Sequence, residues 1–236
     1  MRSVFAVAIV AVATLLVAPA VAADYPQYPE WPTYDLPELP QADTGLSGGF
    51  YLRGSLAGNA WHASDATHCC MVTMSGPGYG YSLGVGFGYE SGTGLRADLT
   101  VDYLSNDGLT STTGEKANLR SGLLLANIYH DFMFHEGGAA GGGFGGYVGA
   151  GLGFGHNYSE IKNVGGVVTD WGRSVEAAAA AMIGVTYDMG SVVADVGWRG
   201  IYMNKVMNQP PAPTMPYIIN NNFINELRAS IRYRFF

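Results

Sequence analysis

FINELRASIRYRFF, the stretch Phe223–Phe236 that ends the chain, alternates residue by residue between an apolar and a polar row. Leu227 and Ile231 stand in the apolar row, whereas Glu226 and Arg228 stand in the polar row. Strict alternation is the period of a β-strand whose two faces meet different surroundings. Such a strand fits a soluble sheet with its charged row towards water, or a membrane barrel with its apolar row towards lipid and its charges towards the lumen.

Seven earlier segments repeat the alternation. They lie at residues 50–57, 79–89, 95–103, 119–132, 144–155, 175–188 and 192–199. In the fourth segment Leu123–Leu125 are all apolar, and we place Leu124 and Ile128 outward and Asp131 inward. The sixth contains the alanine run Ala177–Ala181, which also favours a helix, but the parity of its flanking residues favours a strand. Eight is an even number of strands, as a closed antiparallel barrel with both ends on one side requires.

The connections between these segments alternate in length. Residues 91–94 and 189–190 form short connections, and the longer connection at 133–143 is rich in glycine. The others are long, at 59–77, 105–118, 157–174 and 204–222. Short periplasmic turns that alternate with long extracellular loops are typical of outer-membrane barrels.

Composition favours the membrane setting. Only 13% of the residues are charged, the chain contains 34 glycines, and its net charge is -7. Aromatic residues of the apolar rows fall near both ends of the strands, as in the two girdles of a membrane barrel. A water-soluble, lipocalin-like barrel would instead place the apolar rows inside, and the glycine-rich polar rows would give it a poorly charged exterior. We therefore predict an all-β fold, an eight-stranded antiparallel up-and-down transmembrane β-barrel. The acidic charge argues against nucleic acid as a partner.

Two segments precede the barrel, which we assign to residues 45–236. Residues 1–23 combine Arg2, an apolar run and a small-residue site at Ala20–Ala22, and this predicts a cleaved signal peptide rather than an uncleaved anchor. Residues 24–44 carry five prolines and five acidic residues. This segment is expected to be an extended periplasmic lead, either a solvated linker or a docking segment.

Four short motifs carry a family resemblance: Gly49–Gly54 (GFYLRG), Ala126–Phe132 (ANIYHDF), Asp195–Arg199 (DVGWR) and Ile231–Phe235 (IRYRF). They resemble the small outer-membrane barrels of the OmpA-like, surface-antigen (opacity-type porin) family, which is abundant in alphaproteobacteria. The resemblance implies residence in the cell outer membrane and roles as structural envelope proteins, surface antigens, adhesins or narrow pores. It implies outer-membrane lipid, lipopolysaccharide and the assembly machinery as partners, with host or surface ligands reached through the loops.

The ending of the chain implies an assembly signal. Tyr233, Phe235 and Phe236 provide the terminal aromatics of this signal. Phe235 stands in the outward row, which is the usual register in the family, and Phe236 is one residue beyond it.

The polar rows predict a network of charges inside the barrel. Its members are Arg53, Arg96, Asp98, Asp102, Asp131, Glu176, Asp188, Asp195, Arg199, Glu226, Arg228 and Arg232. Eight strands leave an interior just wide enough for side chains, and isolated buried ions are costly, so we expect a salt-bridged plug. A gated narrow pore is the alternative, because the glycine rows of the second and fifth segments leave room near one wall.

Cys69 and Cys70 are adjacent in the first outer loop. Exported thiols are normally oxidised, so we expect a disulfide, either between these two residues or to another chain. Soft ligands of this kind also suit copper or zinc, with His62 and His68 nearby. We expect neither a bound metal nor a cofactor.

Catalysis is the remote alternative. His62 and His156 lie close in sequence to Ser64 and Ser159, but a nucleophile and its base must come within hydrogen-bond reach. We predict that the protein is not an enzyme. The main expectation is a structural envelope protein, and an adhesin that binds through loops such as the proline-rich stretch 204–222 is the alternative.

Overall fold

The computed structural model describes residues 48–67, 71–136, 143–208 and 216–235. The predicted signal peptide, the proline-rich segment 24–44, Cys69, Cys70 and Phe236 lie outside these ranges. Within them, no helix is long and apolar enough to cross a membrane. The described strands are β1 (Gly49–His62), β2 (Asp65–Thr67), β3 (Met71–Gly76), β4 (Gly78–Glu90), β5 (Leu95–Ser111), β6 (Lys116–Glu136), β7 (Gly143–Lys162), β8 (Val168–Asp188), β9 (Val192–Met207) and β10 (Ile218–Phe235).

The eight long strands form a closed antiparallel barrel. Each of β4 to β9 pairs with the next strand along the chain, and β1 pairs with both β4 and β10. The closing register runs from Phe50 opposite Phe235 to His62 opposite Phe223. This pairing leaves no open edge among the long strands. The predicted fold class is confirmed.

The two ends of the barrel differ. At the turn end, residues 91–94 and 189–191 connect neighbouring strands. There Gly190 adopts a φ of 89°, a left-handed conformation that suits glycine, and its N–H donates to Asp188. At the outer end, the tips are residues 112–115 and 163–167.

The described parts of the predicted long outer loops contain long runs of regular strand. Strands β5 to β8 continue well into the stretches 105–118 and 157–174, and β9 and β10 continue into 204–222. In the first loop, β2 pairs with β10 and β3 pairs with β5. This hairpin completes the wall above β1 and β4, whose outer ends stop earlier. Residues in this region therefore extend the barrel rather than cover it irregularly.

The outer surface of the barrel is apolar. Large side chains of the outward rows are strongly exposed, for example Leu152 at 71%, Leu227 at 70% and Val85 at 67%. Leu124 and Ile128 also point outward, as predicted. A lipocalin-like barrel would have buried these rows, so the structure excludes that alternative. The exterior is that of a transmembrane barrel.

The alanine run is strand, not helix. Ala177–Ala181 lies in the middle of β8 and pairs with Gly151, Leu152 and neighbouring residues of β7. The tertiary pairing overrides the helix propensity of alanine, since both backbone edges of β8 are hydrogen-bonded to neighbouring strands.

The interior changes character along the barrel axis. Polar and charged side chains fill the turn-end half, whereas a cluster of buried apolar side chains fills the outer half. The expectation of a polar lumen therefore holds for only one half. The outer half of the wall rises beyond the apolar belt. Its exterior carries charged side chains such as Lys116 and Lys162 beside exposed valines, and its interior packs like an ordinary hydrophobic core.

Candidate functional site

The charged interior is built in layers, and the layer nearest the apolar cluster holds two arginines and two carboxylates. Asp102 contacts Arg199 at 2.9 Å and Arg228 at 2.6 Å. Glu226 contacts Arg199 at 2.6 Å and accepts a hydrogen bond of 2.7 Å from Ser82. These residues come from strands on different sides of the barrel, so the layer joins opposite walls. Its charges balance.

A second layer lies towards the turn end and centres on Arg53. The Arg53 guanidinium lies 3.4 Å from Asp98 and 3.6 Å from Asp195, and it donates to the Tyr129 hydroxyl at 2.8 Å. Tyr51 also donates to Asp98, at 2.9 Å. Each carboxylate in this layer is therefore held by more than one donor.

Arg96 and Arg232 complete the second layer. Arg96 binds Asp131 through two hydrogen bonds of 2.8 and 3.0 Å, and its guanidinium lies 3.8 Å from the centre of the Tyr129 ring. Arg232 lies 3.3 Å from Asp195 and 3.6 Å from Asp131. The bidentate geometry is the strong form of an arginine–carboxylate contact.

A third group at the turn-end rim includes two residues absent from the predicted network. Arg234 donates to both oxygens of Glu90, at 2.7 and 3.0 Å, and to Asp188 at 2.6 Å. Both omitted residues, Arg234 and Glu90, continue the polar rows of their strands. The alternation that identified Arg228 and Arg232 would therefore also have identified these two residues.

One member of the predicted network stands apart. Glu176 lies on the inward row of β8 opposite Gly155, but it makes no ion pair with another described residue. The other eleven are all ion-paired.

Tyrosine rings occupy the room left by interior glycines. A Cβ on Gly88 of β4 would overlap the ring of Tyr51, and one on Gly149 of β7 would overlap the ring of Tyr129. The Tyr129 ring also contacts the Tyr147 ring edge to face, with centroids 5.9 Å apart. The glycine rows predicted to leave room for a pore therefore accommodate large side chains of neighbouring strands.

Apolar side chains close the interior above the charged layers. This cluster includes Trp61, Leu104, Leu119, Leu125, Ile201, Met203 and Ile224, each at most 1% exposed. The Trp61 indole N–H donates to Asn222 at 3.0 Å, so even its polar atom is satisfied. An ion that crossed this layer would lose its hydration without finding charged partners.

The outer extension is tied together by polar contacts. Asp65 of β2 accepts hydrogen bonds of 2.7 Å from both Asn220 of β10 and Ser64. The donation from Asn220, together with that from Ser64, holds the pKa of Asp65 below its usual value. Ser159 shares a hydrogen bond of 2.7 Å with Tyr217.

Among the described residues, no histidine donates to or accepts from either serine considered for catalysis. Ser64 contacts Asp65, Asn220 and Asn221, and Ser159 contacts Tyr217. His156 lies on the outward face of β7. In the described ranges, no group of three or more His, Cys, Asp or Glu side chains is arranged to hold a metal ion. The expected disulfide of Cys69 and Cys70 lies outside those ranges.

This chain resembles several solved bacterial proteins. Neisserial surface protein A is 22% identical, with a TM-score of 0.51 over 79% of this chain and 97% of that one. The attachment invasion locus protein Ail of Yersinia pestis is 12% identical, with a TM-score of 0.43 over 80% and 99%. OprG, an outer membrane protein from Pseudomonas aeruginosa, is 16% identical, with a TM-score of 0.41 over 79% and 96%. No family model matches the chain, and no curated protein matches it significantly. The likeness to Neisserial surface protein A concerns the fold alone.

Proposed function

We propose that this protein is a structural barrel of the outer membrane that supports envelope integrity and presents its outer hairpins at the cell surface. Its exterior is suited to lipid, and its interior is filled rather than open. The proposal rests mainly on how the interior is filled along the barrel axis. Ion pairs fill the turn-end half, and apolar side chains fill the outer half.

The filled interior argues against a diffusion pore. Six interior arginines face seven carboxylates in mutual contact, namely Glu90, Asp98, Asp102, Asp131, Asp188, Asp195 and Glu226. Paired charges cross-link the strands, and the apolar cluster excludes hydrated ions. A barrel built in this way strengthens the wall and does not conduct.

Conductance across a planar bilayer tests the closed lumen. Purified, folded protein is expected to give no single-channel steps, because an ion would have to cross the apolar cluster. As a matched comparison, Leu125→Asp places a carboxylate inside this cluster, and any leak should increase in that variant. Reproducible steps from the unaltered protein would contradict the proposal.

A second candidate function is adhesion through the outer hairpins. At the β7–β8 tip, Val164 and Val167 are 78% and 63% exposed, above the lipid belt. Exposed apolar side chains at a protein surface often mark a binding site. A deletion strain that resists detergents but no longer adheres would favour this function over the structural one; a strain that leaks yet adheres would favour the structural role.

Export and assembly follow from the same proposal. We infer that residues 1–23 direct export and are removed, and that residues 24–44 remain on the periplasmic side. The terminal aromatics of β10 are proposed to engage the outer-membrane assembly machinery. The contacts of Ser64 and Ser159 support a protein without catalytic activity.

A further inference from the structure

The cations of this chain are unevenly distributed over the exterior of the barrel. Of the 12 Lys and Arg residues, six arginines lie inside the barrel, and Arg2 belongs to the predicted signal peptide. The remaining five are Lys116, Arg120, Lys162, Arg173 and Lys205. All but Lys205 lie on the outer ends of β6, β7 and β8. One side of the outer rim therefore carries nearly all of the exterior positive charge.

Two of these cations stand in one cross-strand row. Arg120 of β6 lies opposite Tyr158 of β7, and Tyr158 lies opposite Arg173 of β8. All three face outward. Because neighbouring strands are about 4.8 Å apart, the two arginine backbones are separated by about 10 Å. Both side chains are long enough to reach one group between them.

The two guanidinium groups of the row differ in their contacts. Arg173 is exposed and makes no ion pair with another described residue. Arg120 donates to the backbone carbonyls of Asn106 and Leu119, at 2.8 and 3.0 Å, and to Asp107 at 2.8 Å, so it reaches a phosphate beside Tyr158 by exchanging these contacts. The Asp107 carboxylate is 57% exposed, and the pair is a surface one. Exposed pairs contribute only about 0–1 kcal/mol, so a better anion is able to compete. The acidic Glu160 accepts a hydrogen bond from Tyr158 at 3.0 Å and is the other nearby negative charge.

The row lies at the upper edge of the apolar belt. Phe154 is 60% exposed and precedes Tyr158 by two outward positions on β7. A strand rises about 3.3 Å per residue and tilts about 45° in a membrane barrel, so the row lies about 10 Å above Phe154. The Trp171 ring lies near the Tyr158 ring, with centroids 6.2 Å apart. Tryptophan and tyrosine are enriched at the interface between a membrane and water. The arginines are therefore at the level of lipid headgroups.

A trough of small side chains runs down from the row along β8. The outward residues below Arg173 and Val175 are Ala177, Ala179 and Ala181. Phe154 and Leu152 of β7 lie opposite Ala177 and Ala179. These β7 residues form one wall of the trough, and Tyr202 of β9, opposite Ala179, stands on the other side.

We propose that this face holds one phosphorylated lipid of the outer leaflet, with its phosphate between Arg120 and Arg173 and an acyl chain in the alanine trough. The site rests on the transmembrane setting proposed above. Arginine provides several donors for phosphate oxygens, and Tyr158 adds a hydroxyl between the two cations. The alanine run, which favours a helix when read alone, is then explained by the need for a shallow surface beneath the headgroup.

Lipid retention by the full-length protein in nanodiscs tests the site. The probe is diphosphorylated lipid A in a phosphatidylcholine bilayer, and native mass spectrometry measures the fraction of protein that retains it. Each cation near an anionic lipid headgroup contributes a factor of about five, so Arg120→Gln with Arg173→Gln should weaken retention by about 25-fold. Lys205→Gln removes a cation of β9 that lies outside the Arg120–Arg173 row and should change retention less than twofold.

A second variant examines the trough independently of the charges. Ala177→Leu with Ala179→Leu fills the trough and should reduce lipid A retention while Arg120 and Arg173 remain. Inorganic phosphate at the same concentration should displace little lipid A, since it lacks the acyl chain; complete displacement would show that the row binds free phosphate instead. Heat-modifiable gel mobility establishes that each variant is folded. If the double arginine variant does not fold, Arg173→Gln alone is used to test the charge contribution.

Equal retention by the unaltered protein and both double variants would overturn the site. So would an equal loss in Lys205→Gln, because it would show a general charge effect. The proposed closed lumen fails by a different result, the appearance of conductance steps, which leaves the lipid site standing. If the unaltered protein does not enter a bilayer at all, both proposals are overturned.

Discussion

Asp102 illustrates how single residues hold the barrel together. Its two oxygens contact Arg199 and Arg228, and its side chain is 1% exposed. The two arginines lie on β9 and β10, whereas Asp102 lies on β5. One carboxylate therefore neutralises two buried cations and joins distant strands.

Replacing this carboxylate should be costly. We expect Asp102→Asn to lower the free energy of unfolding by about 3–5 kcal/mol, because Arg228 then lies buried without an ion pair and Arg199 keeps only Glu226. Urea titration in lipid vesicles, followed by heat-modifiable gel mobility, measures the change.

The matched control is Asp107→Asn, which removes the same charge from the exposed pair with Arg120. It should change the stability by no more than about 1 kcal/mol. If the two variants were equally stable, the interior ion pairs would not be what cross-links the strands.

At the scale of the element, β10 is the strand on which closure depends. Tyr233 and Phe235 pair with Leu52 and Phe50 of β1, and Arg234 connects β10 to Glu90 and Asp188. Its last residues thus supply both backbone pairing and an ionic contact at the turn-end rim.

Removing residues 233–236 should abolish assembly. The truncated chain lacks the end of the β1–β10 register, leaves residues 50–52 of β1 without partners on β10 and loses the ionic contacts of Arg234, so we expect no heat-modifiable band in membranes. Tyr202→Ala removes an exterior aromatic ring at the other end without shortening a strand, and it should still assemble. A truncated protein that retains heat-modifiable mobility would refute this role of β10.

Strand β6 shows how far the sequence determines the fold. Its turn-end half alternates cleanly, and the predicted directions of Leu124, Ile128 and Asp131 are correct. The run Leu123–Leu125 breaks the alternation because both faces are apolar there, with Leu124 outward and Leu125 in the interior cluster. That break marks the start of the apolar interior, which could not be inferred from the periodicity alone.

The ion-pair partners inside the barrel could not be predicted from the sequence, for a different reason. Alternation assigns a side chain to a face, but it does not give the relative register of strands that are distant in sequence. Asp102 and Arg199 are brought together only by closure of the sheet. Glu176 has the same parity as the ion-paired residues, yet it makes no ion pair with another described residue.

At the scale of the whole molecule, two polarity patterns are stacked along one wall. The turn-end half is apolar outside and charged inside, as lipid requires. The outer half is apolar inside, with charged residues such as Lys116, Lys162 and Glu115 around its tips. The position of the exterior change defines where lipid ends, and the arginine row of β6–β8 lies just beyond it.

Fluorescence quenching at two positions of equal exposure tests this account most directly. Leu152 in the belt and Val164 at the β7–β8 tip are 71% and 78% exposed, so burial by the protein does not distinguish them. Each is replaced by a single labelled cysteine in a Cys69→Ser, Cys70→Ser background and reconstituted into vesicles. We predict that brominated lipid quenches the label at Leu152 and aqueous iodide quenches the label at Val164. Equal iodide quenching at both positions would contradict the transmembrane barrel.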